Sequence, residues 1–202
     1  MNELLATFIF FFAVVDPIGT VPVFIAVTAQ YTEAVKRRVA LLATLFAALI
    51  LLFFVIAGEI ILDAINIPLS AFQIAGGIVL FLFALTMIFG EGKPEGEKRF
   101  IKDGKETAIF PLAVPSIASP GAMLGAVLMT ENNRFSLLEQ SQTTMMILAV
   151  LAIVLVLLLL ASYVHRIIGD AGASIVSRVM GLILASVAVN NILSGIKTYF
   201  AL

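Results

Sequence analysis

An acid, two prolines and a glycine interrupt the first apolar run of this chain. The stretch is Asp16-Pro17-Ile18-Gly19-Thr20-Val21-Pro22, inside a run from Leu4 to about Ala29. Proline removes a backbone donor and clashes with the preceding helical turn, and glycine loosens what is left. Yet Phe8, Phe10, Phe11 and Phe12 before the interruption, and Val23, Phe24 and Ile25 after it, are membrane-type sequence. Few structures reconcile the two. In hydrocarbon every main-chain polar group needs an internal partner, so a spanning segment is helical, and irregular backbone survives only inside protein or beside a wet cavity. The stretch therefore reads as a transmembrane helix broken near mid-depth around a polar pocket.

Similar apolar runs recur along the whole chain. Hydrophobic residues make up 61% of it and charged ones 12%, with a mean hydropathy of +1.14. Soluble domains carry about 25% charged residues, so this is a polytopic, all-α membrane protein. The chain contains no cysteine and a single histidine, His165. Disulfides, thiolate chemistry and histidine-based metal sites are therefore not expected. No cofactor, metal or nucleic-acid partner is expected either. No basic residue precedes Lys36, so the first run reads as a retained span and not as a cleaved signal.

A bilayer core takes about 20 apolar helical residues. On that measure six spans are expected, at about 4–29, 39–62, 69–90, 108–130, 143–164 and 174–196. The segment from Gly90 to Thr107 is the one long hydrophilic stretch, read as a linker over 91–107. Asp63–Pro68, Glu131–Gln142 and His165–Ala173 are read as polar loops. Lys36, Arg37, Arg38, Lys93, Lys98, Arg99, Lys102, Lys105, Arg166 and Arg178 all fall beside the loops after spans 1, 3 and 5. The positive-inside rule puts those loops in the cytoplasm and both termini outside a cell membrane.

The halves 1–90 and 108–202 read as inverted three-helix repeats. Ser119-Pro120 repeats Asp16-Pro17 at a spacing of 103 residues, each pair followed closely by glycine. Gln73-Ile74-Ala75-Gly76 aligns with Arg178-Val179-Met180-Gly181 at a spacing of 105. Paired interrupted spans in inverted halves point to a transporter's midplane binding site. A broken helix offers free N–H groups with partial positive charge on one side and free carbonyls on the other. A zwitterion suits such a site, with its carboxylate at a half-helix N-terminus.

The expected substrate-binding residues are Asp16, Pro17, Gly19 and Thr20 at the first break. Pro115, Ser116, Ser119, Pro120 and Gly121 serve at the second, with Asn191 from span 6. Counting from Leu4, Asp16 lies ~18 Å along the helix, near the bilayer centre. An ionisable group at that depth is a functional candidate: it would bind an ammonium group or carry a coupled proton. Asp16 and Ser119 equally fit plain N-caps for the second half-helix. Glu59 and Asp63 are expected at the interface, Arg178 snorkels, and His165 is expected in a solvated loop. Asn190 and Asn191 fit either a pathway lining or interhelical hydrogen bonding.

Four stretches, FFAVVDPIGTVPVF, FQIAGGIVLFLFALTMIFG, PLAVPSIASPGAM and RVMGLILASVAVNNILSGI, resemble the MarC family of six-span membrane proteins. The resemblance covers essentially the whole chain. It departs at Thr20, Ser119 and Gln73, where many relatives have Asn, Gly and Arg. It implies a fold akin to lysine-type exporters and transport of small neutral amino acids such as glycine or alanine, coupled to protons. The partners expected are that amino acid, a coupling proton or cation, and membrane lipid, and a homo-oligomer is allowed. The residues by themselves support an inverted-repeat transporter with a polar midplane site. An intramembrane enzyme lacks a nucleophile–base pair or metal cluster. A membrane scaffold whose breaks serve packing alone is the other alternative.

Overall fold

A computed structural model describes residues 2–89, 104–132 and 134–200, and all regular structure among them is helical. Its helices are α1 (Asn2–Val15), α2 (Pro17–Thr28), α3 (Glu33–Ala64), α4 (Leu69–Phe89) and the one-turn α5 (Gly104–Thr107). An irregular π-type segment, Ala108–Ile117, follows, and then α6 (Pro120–Leu128), α7 (Leu137–Leu159) and α8 (Ala161–Tyr199). Five helical stretches are long and apolar enough to cross a bilayer, and the count is six if the bent pair Gly104–Ile117 and Pro120–Leu128 forms one span. Most of the expected linker, residues 91–103, lies outside the described residues.

The first span forms the middle of the bundle. In its most apolar window 56% of residues are buried, against 22–33% for the four other long helices. Phe11, Val14, Val15 and Val21 pack there with Leu112, Ile117, Ala118 and Ala122 of the bent pair. Around this pair of interrupted spans, α3 flanks the π-type segment, α6 and α7, while α4 lies along α8.

Local chemistry sets several boundaries that hydropathy misplaced. α3 ends in a left-handed turn at Asn66 (φ 55°). There Ile67 N–H reaches the Leu62 carbonyl (3.0 Å) and Asn66 N–H the Asp63 carbonyl (3.1 Å), satisfying carbonyls left over at the helix end. α7 begins at Leu137, inside the stretch read as loop, because Ser136 and Glu139 form a reciprocal capping box. The expected loop His165–Ala173 is also a correction. In place of a loop the chain is helical on both sides of a break confined to Gly169 (φ 64°, ψ 175°), a conformation glycine tolerates. Val164 and Ile168, one turn apart, are partly buried while Ser162 and Arg166 are exposed, a helical period whose polar residues look like a loop to a hydropathy scan.

Small residues bring α4 and α8 together as an antiparallel pair. A Cβ at Gly181 would lie 2.9 Å from Met87 Cβ and 3.0 Å from the Ala84 carbonyl. One at Gly195 would lie 2.9 Å from the Ser70 carbonyl, and one at Gly77 3.1 Å from the Ala188 carbonyl. In lipid there is no hydrophobic drive between helices, so close backbone approach supplies the packing energy.

Gly181→Leu is expected to lower stability by about 1–3 kcal/mol through overpacking, read as an earlier melt in detergent, while Leu49→Ala on the exposed face of α3 stays near wild type. At the far end of the bent span, burial raises the carboxyl pKa of Glu131, against the opposing pull of Arg134 and with a smaller push from Glu59. The folded state then holds that proton more tightly than the unfolded one. Its contribution is favourable below the ordinary value of 4.5 and is lost as pH rises through the raised pKa. Glu131→Gln should flatten that part of the stability-versus-pH curve.

Candidate functional site at the two helix interruptions

The first interruption is one residue wide. Pro17 has no N–H to donate, and Asp16 adopts a left-handed conformation (φ 47°, ψ 67°) that costs about 1–2 kcal/mol for an L-residue, though Asp and Asn visit it most readily. The ladder resumes at once: Asp16 N–H bonds to the Phe12 carbonyl at 3.1 Å and Thr20 N–H to the Asp16 carbonyl at 3.0 Å. Gly19 N–H donates to Asp16 Oδ1 at 3.0 Å, so Asp16 is the N-cap of α2, with proline at the first helical position.

The second interruption is wider. Phe110 and Val114 are extended (φ −133° and −130°), and each precedes a proline with a cis peptide bond, Pro111 and Pro115. Residues before proline are pushed out of the helical region, and two such positions four apart leave no regular turn between them. The Ala118 N–H reaches back five residues to the Ala113 carbonyl (2.8 Å). Ser119 then caps α6 by accepting from Ala122 N–H (3.2 Å), and the chain bends by 60°.

The two interruptions are bonded to each other. Ser119 Oγ donates to the Val14 carbonyl at 3.0 Å. Ser116 Oγ donates to Thr20 Oγ1 at 3.5 Å, and Thr20 Oγ1 donates to the Asp16 carbonyl at 3.0 Å. Asp16, Thr20, Ser116 and Ser119 are all buried, at 4%, 0%, 2% and 0% exposure. They form a polar cluster enclosed by the apolar centre of the bundle.

A third element completes the cluster. Ser177 of α8 donates its Oγ hydrogen bond to Asp16 Oδ2 at 2.7 Å, so both carboxylate oxygens are engaged. Sequence reasoning missed Ser177, because a lone serine in a helix carries no local signal. Gly19 lies against this pair: a Cβ there would collide with the Asp16 carboxylate and Ser177 Oγ. Among the described residues no basic side chain pairs with Asp16, and the nearby Arg178 is exposed.

The remaining expected site residues divide. Pro17 is buried beside Asp16, and Pro115 is half-buried next to Ser116. Gly121 is buried where a Cβ would lie 2.5 Å from Leu80 Cδ1 and 2.9 Å from Val14 Cγ1, so it serves close packing of the two breaks against α4. Pro120 is exposed and faces away from the cluster's enclosed centre. Asn191 lies on the same helix as Ser177 but about four turns, ~21 Å, further along, so it does not join the cluster.

An all-helical bundle with a buried polar knot at two interrupted spans defines an integral membrane protein built around its own midline. The family profile of MarC family integral membrane proteins matches residues 1–200. The chain belongs to the MarC family. It is 37% identical over 190 residues to a UPF0056 membrane protein of Methanocaldococcus jannaschii, covering 92% of each chain. It is 33% identical over 203 residues to the UPF0056 inner membrane protein YhgN of Escherichia coli, covering 98% of each. A UPF0056 membrane protein of Archaeoglobus fulgidus is 30% identical over 200 residues, covering 95% of this chain and 91% of that one. No solved structure matches the chain.

Ser119→Ala should remove a cap and a bridge together, lowering stability by about 1–3 kcal/mol in a thermal or denaturant melt. Gly19→Ala should separate Ser177 from Asp16, and the loss should shrink when Ser177→Ala is added, because the second substitution removes one of the two colliding groups.

Proposed function

We propose that this protein is a secondary transporter of small neutral amino acids, of the size of glycine or alanine, driven by a proton or cation gradient across the cytoplasmic membrane. The observation that carries the reading is the enclosed cluster joining the two interruptions, with Ser119 bridging a carbonyl of one and an N–H of the other. Withdrawal of the Ser119 hydroxyl would leave the Val14 carbonyl as acceptor and the Ala122 N–H at a helix start as donor. A zwitterion needs that pair: the carbonyl and Asp16 for its ammonium, the helix N-terminus for its carboxylate. The choice of amino acids comes from the resemblance to the MarC family and not from the geometry.

In this reading the six spans work as two inverted three-helix repeats, with both termini outside, rocking about the interruptions. Asp16 is the coupling group. As a carboxylate it accepts from both Gly19 N–H and Ser177 Oγ, whereas protonation of Oδ2 would reverse the Ser177 hydrogen bond and replace a charge-assisted contact with a weaker neutral one. Proton binding would thereby loosen α8 from the first span, which opens the enclosed site.

A packing-only role is the competing reading, favoured by the mutual satisfaction of the cluster's hydrogen bonds. Labelled glycine and alanine uptake into proteoliposomes, with and without a pH gradient, separates the two. Gradient-dependent accumulation is expected for the wild type, with Asp16→Asn folding but losing the gradient dependence. Uptake by the wild type no faster than in protein-free vesicles would sink the transport proposal and leave the packing role.

A further inference from the structure

The face of α8 opposite α4 is not used by the fold or by the proposed transport site. Leu184 and Ala188 are fully buried on the α4 side. On the other side Val179, Ile183 and Leu193 are exposed at 48%, 37% and 61%, and Ser186, Asn190 and Lys197 are exposed as well. These six positions step along the helix by four, three, four, three and four residues. That is the heptad seam of two helices crossing at a shallow left-handed angle.

One residue on this stripe does not suit lipid. Asn190 lies seven residues before Lys197 on the apolar helix Ala171–Phe200, about 10 Å inside the boundary Lys197 marks, at ~1.5 Å per residue, and therefore at hydrocarbon depth. Ser186, one turn earlier, satisfies its own hydroxyl on the Leu182 carbonyl at 3.1 Å. The Asn190 carboxamide makes no hydrogen bond among the described residues. Acyl chains offer it neither donor nor acceptor, and polar side chains within the membrane face protein or water and not lipid.

We propose that this face is a homodimer interface in which the Asn190 carboxamides of two copies hydrogen-bond to each other across a two-fold axis normal to the membrane. A second copy fits for three reasons. A carboxamide is both donor and acceptor, so it complements itself across a two-fold. The basic residues gather beside alternate loops, so copies insert the same way up and Asn190 meets a partner at its own depth. The seam places Ile183, Asn190 and Lys197 at one class of heptad position and Val179, Ser186 and Leu193 at the other. A single Asn in such a seam fixes register and favours pairs, and Ser186 lets the two backbones approach. The Lys197 ammonium groups reach the aqueous boundary at the helix ends. This interface does not depend on the transport reading.

The chain has no cysteine, so an introduced thiol is unique. Under mild oxidation in native membranes, Ser186→Cys and Leu193→Cys should each give a disulfide-linked species of twice the chain's mass. Leu49→Cys, on the exposed face of α3 (54% exposed), should stay monomeric. Adding Asn190→Leu to Ser186→Cys should cut the cross-linked fraction several-fold, and Asn190→Gln should restore part of it. Fluorescently tagged wild-type protein, diluted into vesicles and bleached molecule by molecule, should lose its signal in two steps, a readout that needs no substitution in the interface. Single-step bleaching, equal cross-linking from Leu49→Cys, cross-linking only to some other protein, or indifference to Asn190→Leu in a variant that remains monodisperse would each overturn the proposal.

Discussion

A main-chain carbonyl released in the middle of a hydrocarbon slab has no water to turn to. The Val14 carbonyl is released by the left-handed turn at Asp16 two residues later, in the buried centre of an apolar bundle. Ser119 Oγ, from a second interrupted span, bonds to it at 3.0 Å. The same hydroxyl accepts from the Ala122 N–H, an orphan donor in the first turn of α6. One side chain thus satisfies a helix end and a helix start belonging to different parts of the chain, and this dictates that the two interrupted spans lie side by side.

The rest of the bundle follows from keeping that junction dry and close. The first span is the most buried of the long helices, and the residues flanking the junction are small: Gly19, Ala118, Gly121 and Ala122. Gly121 admits Leu80 and Val14 where any larger residue would collide. α8 approaches from the other side, bringing Ser177 to the second oxygen of Asp16. The glycine and alanine seam between α4 and α8 holds α8 at that distance. Among the described residues the Asp16 carboxylate is met by neutral donors, Gly19 N–H and Ser177 Oγ, and the low local dielectric strengthens each such contact.

Homology and geometry contribute different things. Membership of the MarC family rests on similarity along nearly the entire chain. The buried cluster, by contrast, is a property of particular atoms: a cap at Asp16, a cap at Ser119, and three hydroxyls joining them. The family describes a membrane protein, whereas the cluster is where this chain gathers its buried polar side chains.

Much of this was legible in one dimension. Apolar runs of spanning length follow from the solvent alone, since hydrocarbon imposes a minimum helix length. The caps at Asp16 and Ser119 were legible too, because an Asx or Ser side chain ahead of Pro acts over three residues. What sequence could not reveal depends on which helix faces meet. Ser177 is ordinary until α8 packs with that face toward α2, and Asn191 is a plausible site residue until four helical turns separate it from the cluster. The helical stretch after Ala161 and the early start of α7 were hidden because their polar residues resemble loops, while a Ser136–Glu139 capping box starts α7 and backbone hydrogen bonds carry the chain from Leu160 into α8. Local hydrogen-bonding chemistry and the solvent determined the elements; side-chain packing between distant segments decided the site.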